Sequence, residues 1–304
     1  MVFKWNILSI KSEEIVLISL FVLLIPYLWM VMMKNPKKDI TTNRSTYKLN
    51  KQIFILAGQS NMAGQGGVCY GHWDGIVPPE CQSNPDILKL SVSLRWEIAK
   101  EPLNYGVDCA RNCGIGPGMA FANAILKKDP NFGVIGLVPC SVSGKGINWW
   151  SRGNIPYDRL LEKVRSSLRQ GGELRGLLWF HGESDTITKF DATRYKPKLH
   201  KFIQDLRTDL NSPLLPLLMV VLHIPDPWFK GKFADIVRQA QIEVEIPNAV
   251  KVDANGLSLN PDGIHLTTAS QIRVGNMLAE AFLCSNFTSP RKISNKAYHM
   301  MSSP

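Results

Sequence analysis

The chain has 304 residues, enough for one large domain or two small ones that bury about three quarters of the unfolded surface, which excludes a disordered chain or a disulfide-stapled miniprotein. Hydrophobic residues make up 45% and charged residues 20%, which excludes low complexity and a polytopic membrane protein. Much of the net charge of +10 lies in segments 1–50 and 285–304. The body between them shows no basic run with interleaved aromatics, so we predict no nucleic-acid partner.

A long apolar segment follows a short N-terminal tail, residues 1–14. Residues 15–33 are uncharged and mostly large and apolar, and as a helix they would span roughly 29 Å, the thickness of a bilayer core. A cleaved signal peptide would have a shorter apolar region and a small-residue cleavage site, which Met32-Met33-Lys34 does not supply. We therefore predict a transmembrane or signal-anchor helix, with a cleaved signal and a secreted protein as the alternative.

The side of the membrane on which the body lies is indicated by two opposing patterns. Lysines after the apolar segment, at 34, 37 and 38, favour a cytosolic body under the positive-inside rule. Six cysteines and two glycosylation sequons, at Asn43 and Asn286, favour an oxidising, glycosylating compartment. We expect a single-pass membrane protein of the secretory pathway whose body is lumenal or extracellular, joined by a polar stalk at residues 34–50.

The body, residues 51–284, alternates short apolar runs with helical patterns. The apolar runs that predict strands are Gln52 to Ala57, Phe132 to Pro139, Leu174 to Phe180, Leu215 to Leu222 and Ala249 to Val252. One-sided apolar patterns predict helices around Met119 to Leu126 and Val274 to Phe282, the latter with Thr268 and Gln271 at capping-box spacing. This alternation predicts an α/β fold with a parallel sheet covered on both faces, whose site lies at the carboxyl ends of the strands.

Two other segments of the chain lack this alternation. Residues Gly64 to Gly114 are rich in Gly, Pro and Cys and predict an irregular insertion that could shape a rim. Residues 285–304 predict a basic, flexible tail.

A serine follows the first predicted strand in Gly58-Gln59-Ser60-Asn61-Met62. A serine at a strand-to-helix turn exposes its hydroxyl and aims backbone N–H groups at an incoming oxyanion. Serine also caps helices often, so this pentapeptide alone leaves the two roles open.

The last predicted strand is followed by Asp262-Gly263-Ile264-His265-Leu266. Asp262 and His265, three residues apart, can place the carboxylate on imidazole Nδ1 and leave Nε2 to face a hydroxyl. A solvated Asx turn, with His265 incidental, is the simpler explanation of this motif when it is taken alone. Because both this loop and Ser60 follow strands of one parallel sheet, we expect the three side chains to meet.

Two more polar turns follow strands at the same edge. In the glycine turn, residues 140–146 (CSVSGKG), small residues let backbone amides approach a ligand closely. The acidic turn, residues 181–185 (HGESD), follows the strand that ends at Phe180. An ordinary turn and a helix cap are the simpler explanations for each, but four polar turns at successive strand ends favour one site.

The combined motifs make the sequence similar to a known family. The sequence resembles the SGNH-type carbohydrate esterases, in particular the sialate O-acetylesterase-like group that includes plant probable carbohydrate esterases. The motifs that carry the resemblance are GQSNM, VPCSVSG with its glycine turn, GESD after LLWF, and DGIH. The resemblance extends from about Lys51 to Phe282 and includes GIGPGMAFA (Gly114 to Ala122). It implies a three-layer α/β/α sandwich with a flavodoxin-like parallel sheet, and hydrolysis of acetyl esters on sugars.

The resemblance also implies roles for individual residues. Ser60 would be the nucleophile, His265 the general base and acid, and Asp262 the carboxylate that orients it. The backbone amides of Ser60 and Gly144 would form part of the oxyanion hole. The third donor in this family resembles a glutamine just before GESD, and His181 occupies that position here. His181 would therefore be the third oxyanion donor, the alternative being a side chain that only packs at the strand end.

Other chemistry is less consistent with the sequence. Cys109 and Cys113 have no second Cys or His pair at ligand spacing, so we predict no metal site and no cofactor. A disulfide between Cys69 and Cys81, or one involving Cys109 or Cys113, fits better. Glu183 and Asp185 could form a glycosidase acid pair, but adjacent acids on one turn more often brace a loop.

We therefore predict a serine esterase that removes acyl groups, most simply acetyl, from carbohydrates. The alternatives are a general short-chain esterase or lipase, and a catalytically silent carbohydrate-binding protein of the same fold. Intact Ser60, Asp262 and His265 favour the enzyme.

Overall fold

The computed structural model describes the chain in three ranges: residues 51–107, 113–225 and 231–287. Four predicted segments lie wholly or largely outside these ranges: 1–14, 15–33, 34–50 and 285–304. No helix within the described ranges is long and apolar enough to cross a bilayer. The transmembrane helix stays a prediction, because its residues are not among those described.

The strands of the described residues build one seven-stranded sheet and a small separate hairpin. In chain order they are β1 (Gln52–Gly58), β2 (Val68–Cys69), β3 (His72–Trp73), β4 (Ile87–Leu90), β5 (Trp96–Ile98), β6 (Ile135–Pro139), β7 (Glu173–Phe180), β8 (Leu217–Val221) and β9 (Ala249–Asp253). The large sheet has the order β5-β4-β6-β1-β7-β8-β9, and β2 pairs with β3. Neighbours in the large sheet run parallel except for β4 and β5.

The five strands that the sequence predicts lie side by side in this sheet, as β6, β1, β7, β8 and β9. Numbered by their place in the chain, their order is 2-1-3-4-5, the flavodoxin-like arrangement. Every residue of β1 is buried, and since side chains of a strand alternate between two faces, both faces of the sheet are covered there. The predicted α/β fold with a mostly parallel central sheet is confirmed.

Helices connect the strands and cover the sheet. The α-helices of the described residues are α1 (Ser60–Ala63), α2 (Pro117–Lys128), α3 (Ile155–Arg169), α4 (Lys189–Asp209), α5 (Ala234–Glu243) and α6 (Thr268–Cys284). Helices α2 and α6 pack closely against each other. A Cβ atom at Gly275 would lie 2.5 Å from the Pro117 carbonyl oxygen, so this close approach requires glycine.

The start of α6 differs from the predicted capping box by one residue. Thr267 is the N-cap, and its side-chain oxygen accepts a hydrogen bond from the Ser270 N–H. Gln271 does not return to the cap; its side-chain amide donates instead to the backbone and side-chain oxygens of Asn61. The capping-box prediction is wrong because Gln271 has a tertiary partner, and this contact ties α6 to the turn that holds Ser60.

The segment from Gly64 to Gly114 is more regular than the sequence predicts. It contains the β2–β3 hairpin and the antiparallel pair β4–β5. Strand β4 pairs with β6 in parallel and extends the large sheet by two strands. The buried side chains of Ile87 and Leu90 supply apolar surface for that addition.

The predicted disulfide between Cys69 and Cys81 is wrong. Both are free thiols, with Cys69 exposed and Cys81 buried. Burial raises the pKa of Cys81 to about 12, which keeps this thiol protonated and unreactive. Cys109 lies outside the described residues, so the alternative pairing that involves it stays a prediction.

Candidate active site

The serine turn lies at the carboxyl end of β1, in the middle of the sheet. Ser60 is the first residue of α1, and Gly58, at the end of β1, adopts φ +138°. A Cβ atom at Gly58 would lie 2.0 Å from the Phe180 carbonyl oxygen. Glycine therefore permits both the conformation and the close approach to β7 that place Ser60 at the sheet edge.

The three residues predicted for catalysis form one hydrogen-bonded series. The Ser60 hydroxyl lies 2.7 Å from His265 Nε2, and His265 Nδ1 lies 2.5 Å from Asp262 Oδ2. A carboxylate oxygen only accepts, so in neutral His265 the proton lies on Nδ1 and Nε2 is free to accept from Ser60. The arrangement can withdraw a proton from the serine hydroxyl.

Asp262 is held in place by its own loop. Its Oδ1 atom accepts hydrogen bonds from the backbone N–H groups of Ile264, at 3.0 Å, and His265, at 2.9 Å. Partial burial raises the pKa of Asp262, but the hydrogen bonds from the His265 side chain and from both backbone amides outweigh burial and hold the pKa well below its usual range. Asp262 is therefore ionised at neutral pH and can stabilise a protonated His265.

The backbone amides predicted for the oxyanion hole are those of Ser60 and Gly144. Ser60 is the first residue of α1, so its N–H has no carbonyl one turn earlier to bond. In the glycine turn, Gly144 adopts φ +71°, and no atom lies within 4 Å of where its Cβ would be. The Val142 N–H donates to the Gly58 carbonyl, which joins the glycine turn to the serine turn.

His181 does not have the surroundings predicted for an oxyanion donor. Its side chain is fully buried, its Nε2 lies 2.9 Å from the Lys145 carbonyl oxygen, and its Nδ1 lies 3.3 Å from the Tyr195 hydroxyl. A neutral imidazole has one N–H, and the carbonyl of Lys145 occupies it. This geometry disagrees with a direct role because no donor is left for substrate.

Asn61 is a site residue that the sequence analysis did not assign. Its amide donates to Glu183 Oε1, at 2.7 Å, and to the Ile264 carbonyl, at 3.2 Å. Its side-chain oxygen accepts from the Leu266 N–H at 2.9 Å. Asn61 therefore bonds the backbone on both sides of His265 and fixes the imidazole relative to Ser60. Its place directly after Ser60 in GQSNM was the available signal.

Gln59 has an equivalent function toward the acidic turn. Its side-chain oxygen accepts from the N–H groups of Gly182, at 2.9 Å, and Ser184, at 3.3 Å, and its amide donates to the Ser184 hydroxyl. The residues on both sides of Ser60 thus connect the serine turn to neighbouring loops, which restrains the position of Ser60.

The two acids of the acidic turn are both buried and bonded to other loops. Burial raises the pKa of Glu183, opposed by the hydrogen bond from Asn61 and by the charge of His265. Burial also raises the pKa of Asp185 to about 7, opposed by the hydrogen bond from the Ile147 N–H. These contacts fit acids that brace loops rather than a glycosidase pair. The part of the chain that the structure describes contains no group of three His, Cys, Asp or Glu side chains placed to hold a metal ion.

Comparisons with known proteins agree with this architecture. The described residues share their mostly parallel α/β fold with solved structures. A family model described as carbohydrate esterase, sialic acid-specific acetylesterase, matches residues 50–284. The chain belongs to this family, and it is a carbohydrate esterase, a carboxylic ester hydrolase.

One relative and two further solved structures give the degree of similarity. The Arabidopsis thaliana protein named Probable carbohydrate esterase At4g34215 is 46% identical over 243 residues, covering 78% of this chain and 91% of that protein. Its X-ray structure matches with a TM-score of 0.74 over 79% of this chain and all of that chain. NanS and XAC1771, a carbohydrate acetylesterase from Xanthomonas citri, share the fold. NanS is 16% identical with a TM-score of 0.61, and the match covers 77% of this chain and 97% of that chain. XAC1771 is 20% identical with a TM-score of 0.53, and the match covers 76% of this chain and 55% of that chain.

Proposed function

We propose that this protein hydrolyses O-acetyl esters of carbohydrates through a covalent acyl-enzyme on Ser60. The observation that supports the proposal most strongly is the position of His265, hydrogen-bonded to Ser60 through Nε2 and to Asp262 through Nδ1. Family membership supports the carbohydrate ester as substrate, and the description of the family as an acetylesterase supports acetyl as the acyl group.

The first half of the reaction acylates the enzyme. Ser60 Oγ attacks the acetyl carbonyl carbon while His265 Nε2 takes the hydroxyl proton. The carbonyl oxygen becomes an oxyanion, which the N–H groups of Ser60 and Gly144 stabilise. When the tetrahedral intermediate collapses, the bond to the sugar oxygen breaks and His265 returns the proton to that oxygen. The products are the free sugar hydroxyl and acetyl-Ser60.

The second half regenerates the enzyme. His265 takes a proton from water, and the water oxygen attacks the acetyl carbonyl carbon. The same two amides stabilise the second oxyanion, and collapse breaks the bond to Ser60 Oγ. Acetate leaves and Ser60 regains its proton from His265. Asp262 stays ionised throughout and stabilises the imidazolium in both halves.

For the location, we propose a single-pass membrane protein of the secretory pathway with a lumenal or extracellular domain, a secreted form being the alternative. The apolar segment 15–33 and the sequons at Asn43 and Asn286 support this proposal. Asn286 is exposed, as a glycosylation acceptor must be. The test is the mass of the chain expressed in secretory cells, before and after glycosidase treatment. We expect added mass that the glycosidase removes and that is lost in Asn286→Gln and Asn43→Gln. An unmodified chain would contradict the proposed location.

The test of function is acetate release by the full chain in detergent from O-acetylated sugars and from p-nitrophenyl acetate. We expect both to be hydrolysed, with Ser60→Ala lower by a factor of about 10⁴ or more. Ser93→Ala, an exposed serine in the β4–β5 hairpin, is the matched control and should equal wild type. Sugar binding without acetate release would favour the silent binding protein, and preference for longer acyl esters over acetylated sugars would favour a general esterase.

A further inference from the structure

The glycine turn is held on both sides of Gly144 but not at Gly144 itself. Before it, the Val142 N–H donates to the Gly58 carbonyl. After it, His181 Nε2 lies 2.9 Å from the Lys145 carbonyl, and the Ile147 N–H donates to both carboxylate oxygens of Asp185, at 3.0 and 3.1 Å. The direction of the Gly144 N–H therefore depends on the contact of Val142 and on anchors one and three residues later in the chain.

His181 is a rigid anchor. Its ring stacks on Trp179, with centroids 4.6 Å apart and planes 20° apart, and its Nδ1 faces the Tyr195 hydroxyl. The Lys145 carbonyl can only accept, so the imidazole proton must lie on Nε2. Burial lowers the pKa of His181 to about 3, which keeps the ring neutral and the tautomer fixed.

Asp185 is the second anchor, and the sequence of the turn makes room for it. Its side chain is 2% exposed. A Cβ atom at Gly146 would lie 3.0 Å from Asp185 Oδ1, so glycine at this position lets the carboxylate reach the Ile147 N–H. The glycines that let Asp185 approach the turn also give the turn more backbone freedom than other residues would. Hydrogen bonds to neighbouring loops are therefore needed to fix its conformation.

We infer that His181 and Asp185 are positioning residues that set the direction of the Gly144 N–H in the oxyanion hole, an inference that rests on the proposed function. An oxyanion donor is effective only when it is preorganised, because reorienting it during the reaction would cost the energy it supplies. His181 would thus contribute to the oxyanion hole through the Lys145 carbonyl instead of by touching the substrate.

The inference is tested by paired substitutions with p-nitrophenyl acetate as substrate. His181→Ala and Asp185→Leu should each lower kcat by roughly 10²-fold, the scale for losing one oxyanion donor, with KM nearly unchanged. His181→Gln keeps a donor for the Lys145 carbonyl, and Asp185→Asn keeps an acceptor for the Ile147 N–H, so both should retain kcat within about threefold. Tyr157→Phe, which removes a part-buried hydrogen bond to Asp209 and leaves both anchors in place, is the matched control.

The double variant separates positioning from direct contact. Two residues that act through one amide should show nonadditive losses, so His181→Ala/Asp185→Leu should be no slower than the slower single variant. Multiplied losses would overturn the inference and favour His181 as a direct donor. Should the buried variants fail to fold, Gly146→Ala, whose φ of −64° suits alanine, displaces Asp185 from the turn and should lower kcat roughly tenfold.

The proposed function and the inference fail in different ways. If Ser60→Ala keeps its activity, the proposed function is wrong. If Ser60→Ala is inactive while folded His181→Ala, Asp185→Leu and Gly146→Ala keep kcat within about threefold, only the positioning role is wrong. An equal loss in Tyr157→Phe would also overturn it, because the effect would then come from general loosening of the fold.

Discussion

Replacing Asp262 by asparagine tests how the loop fixes the histidine tautomer. Asparagine has nearly the same shape, so the loop should keep its conformation. In wild type, Oδ1 accepts from two backbone N–H groups and Oδ2 accepts from His265 Nδ1. The asparagine side chain has one acceptor and one donor in place of two acceptors, so one of these two sets of contacts must be lost.

The loss is large in either orientation of the amide. If the asparagine oxygen stays on the two backbone N–H groups, its NH₂ faces His265 Nδ1. The imidazole proton then moves to Nε2, and this nitrogen can no longer accept from Ser60. If the amide flips, its NH₂ opposes the N–H groups of Ile264 and His265. The wrong tautomer costs about 10⁴ in kcat, equal to about 5.5 kcal/mol of transition-state stabilisation.

The assay is kcat for p-nitrophenyl acetate hydrolysis, with folding checked by circular dichroism. Asp253→Asn is a close control, because Asp253, like Asp262, accepts from the backbone N–H two residues on and binds a basic side chain, that of Arg238. It should keep wild-type kcat. Retention of a tenth of wild-type activity by Asp262→Asn would refute the proposed role of the carboxylate.

Three further predictions follow from the site and the fold. His265→Ala should match Ser60→Ala in lost activity, and the double variant should be no worse; additive losses would mean that the two do not act together. His181, with its pKa lowered to about 3 by burial, stabilises the fold above the unfolded pKa of about 6.5, and this stability is lost as the pH falls. In urea titrations, wild type should therefore lose about 2 kcal/mol relative to His181→Gln between about pH 7.5 and 5, and parallel pH curves would contradict this. Gly58→Ala should lower the free energy of unfolding by about 3 kcal/mol or more, because its Cβ meets backbone. Gly256→Ala, strained but in open space, should cost only about 1 kcal/mol. Equal costs for the two variants would contradict the prediction, because they would mean that the backbone at Phe180 moves away from the added Cβ.

The features that the sequence predicts correctly arise from local patterns. Most of the five predicted strands are runs of buried, mainly apolar residues, as strands covered on both faces of a parallel sheet require. Strand β9, at the sheet edge, has one buried side chain, Val252. Ser60 stands directly after the first of these strands, and Asp262 and His265 stand in the loop that follows the last, so a parallel sheet brings the three side chains to one edge.

The features that the sequence does not predict depend on contacts between distant parts of the chain. Asn61 bonds Glu183, 122 residues later, and nothing near either residue indicates this pair. The direction of the His181 ring depends on Lys145 and Tyr195, so position in a motif did not predict its surroundings. Strand β4 has only two buried side chains, Ile87 and Leu90, too few to stand out in a segment rich in glycine and proline.

The most direct test of the central proposal is the mass of the Ser60 peptide during turnover. The full chain is mixed with p-nitrophenyl acetate, quenched in acid within the first turnovers, digested and analysed by mass spectrometry. The acyl-enzyme mechanism predicts one added acetyl group on the peptide that contains Ser60, and none on that peptide in Ser60→Ala. Steady acetate release with no acetyl group on Ser60 at any quench time, or with one on another residue, would contradict it.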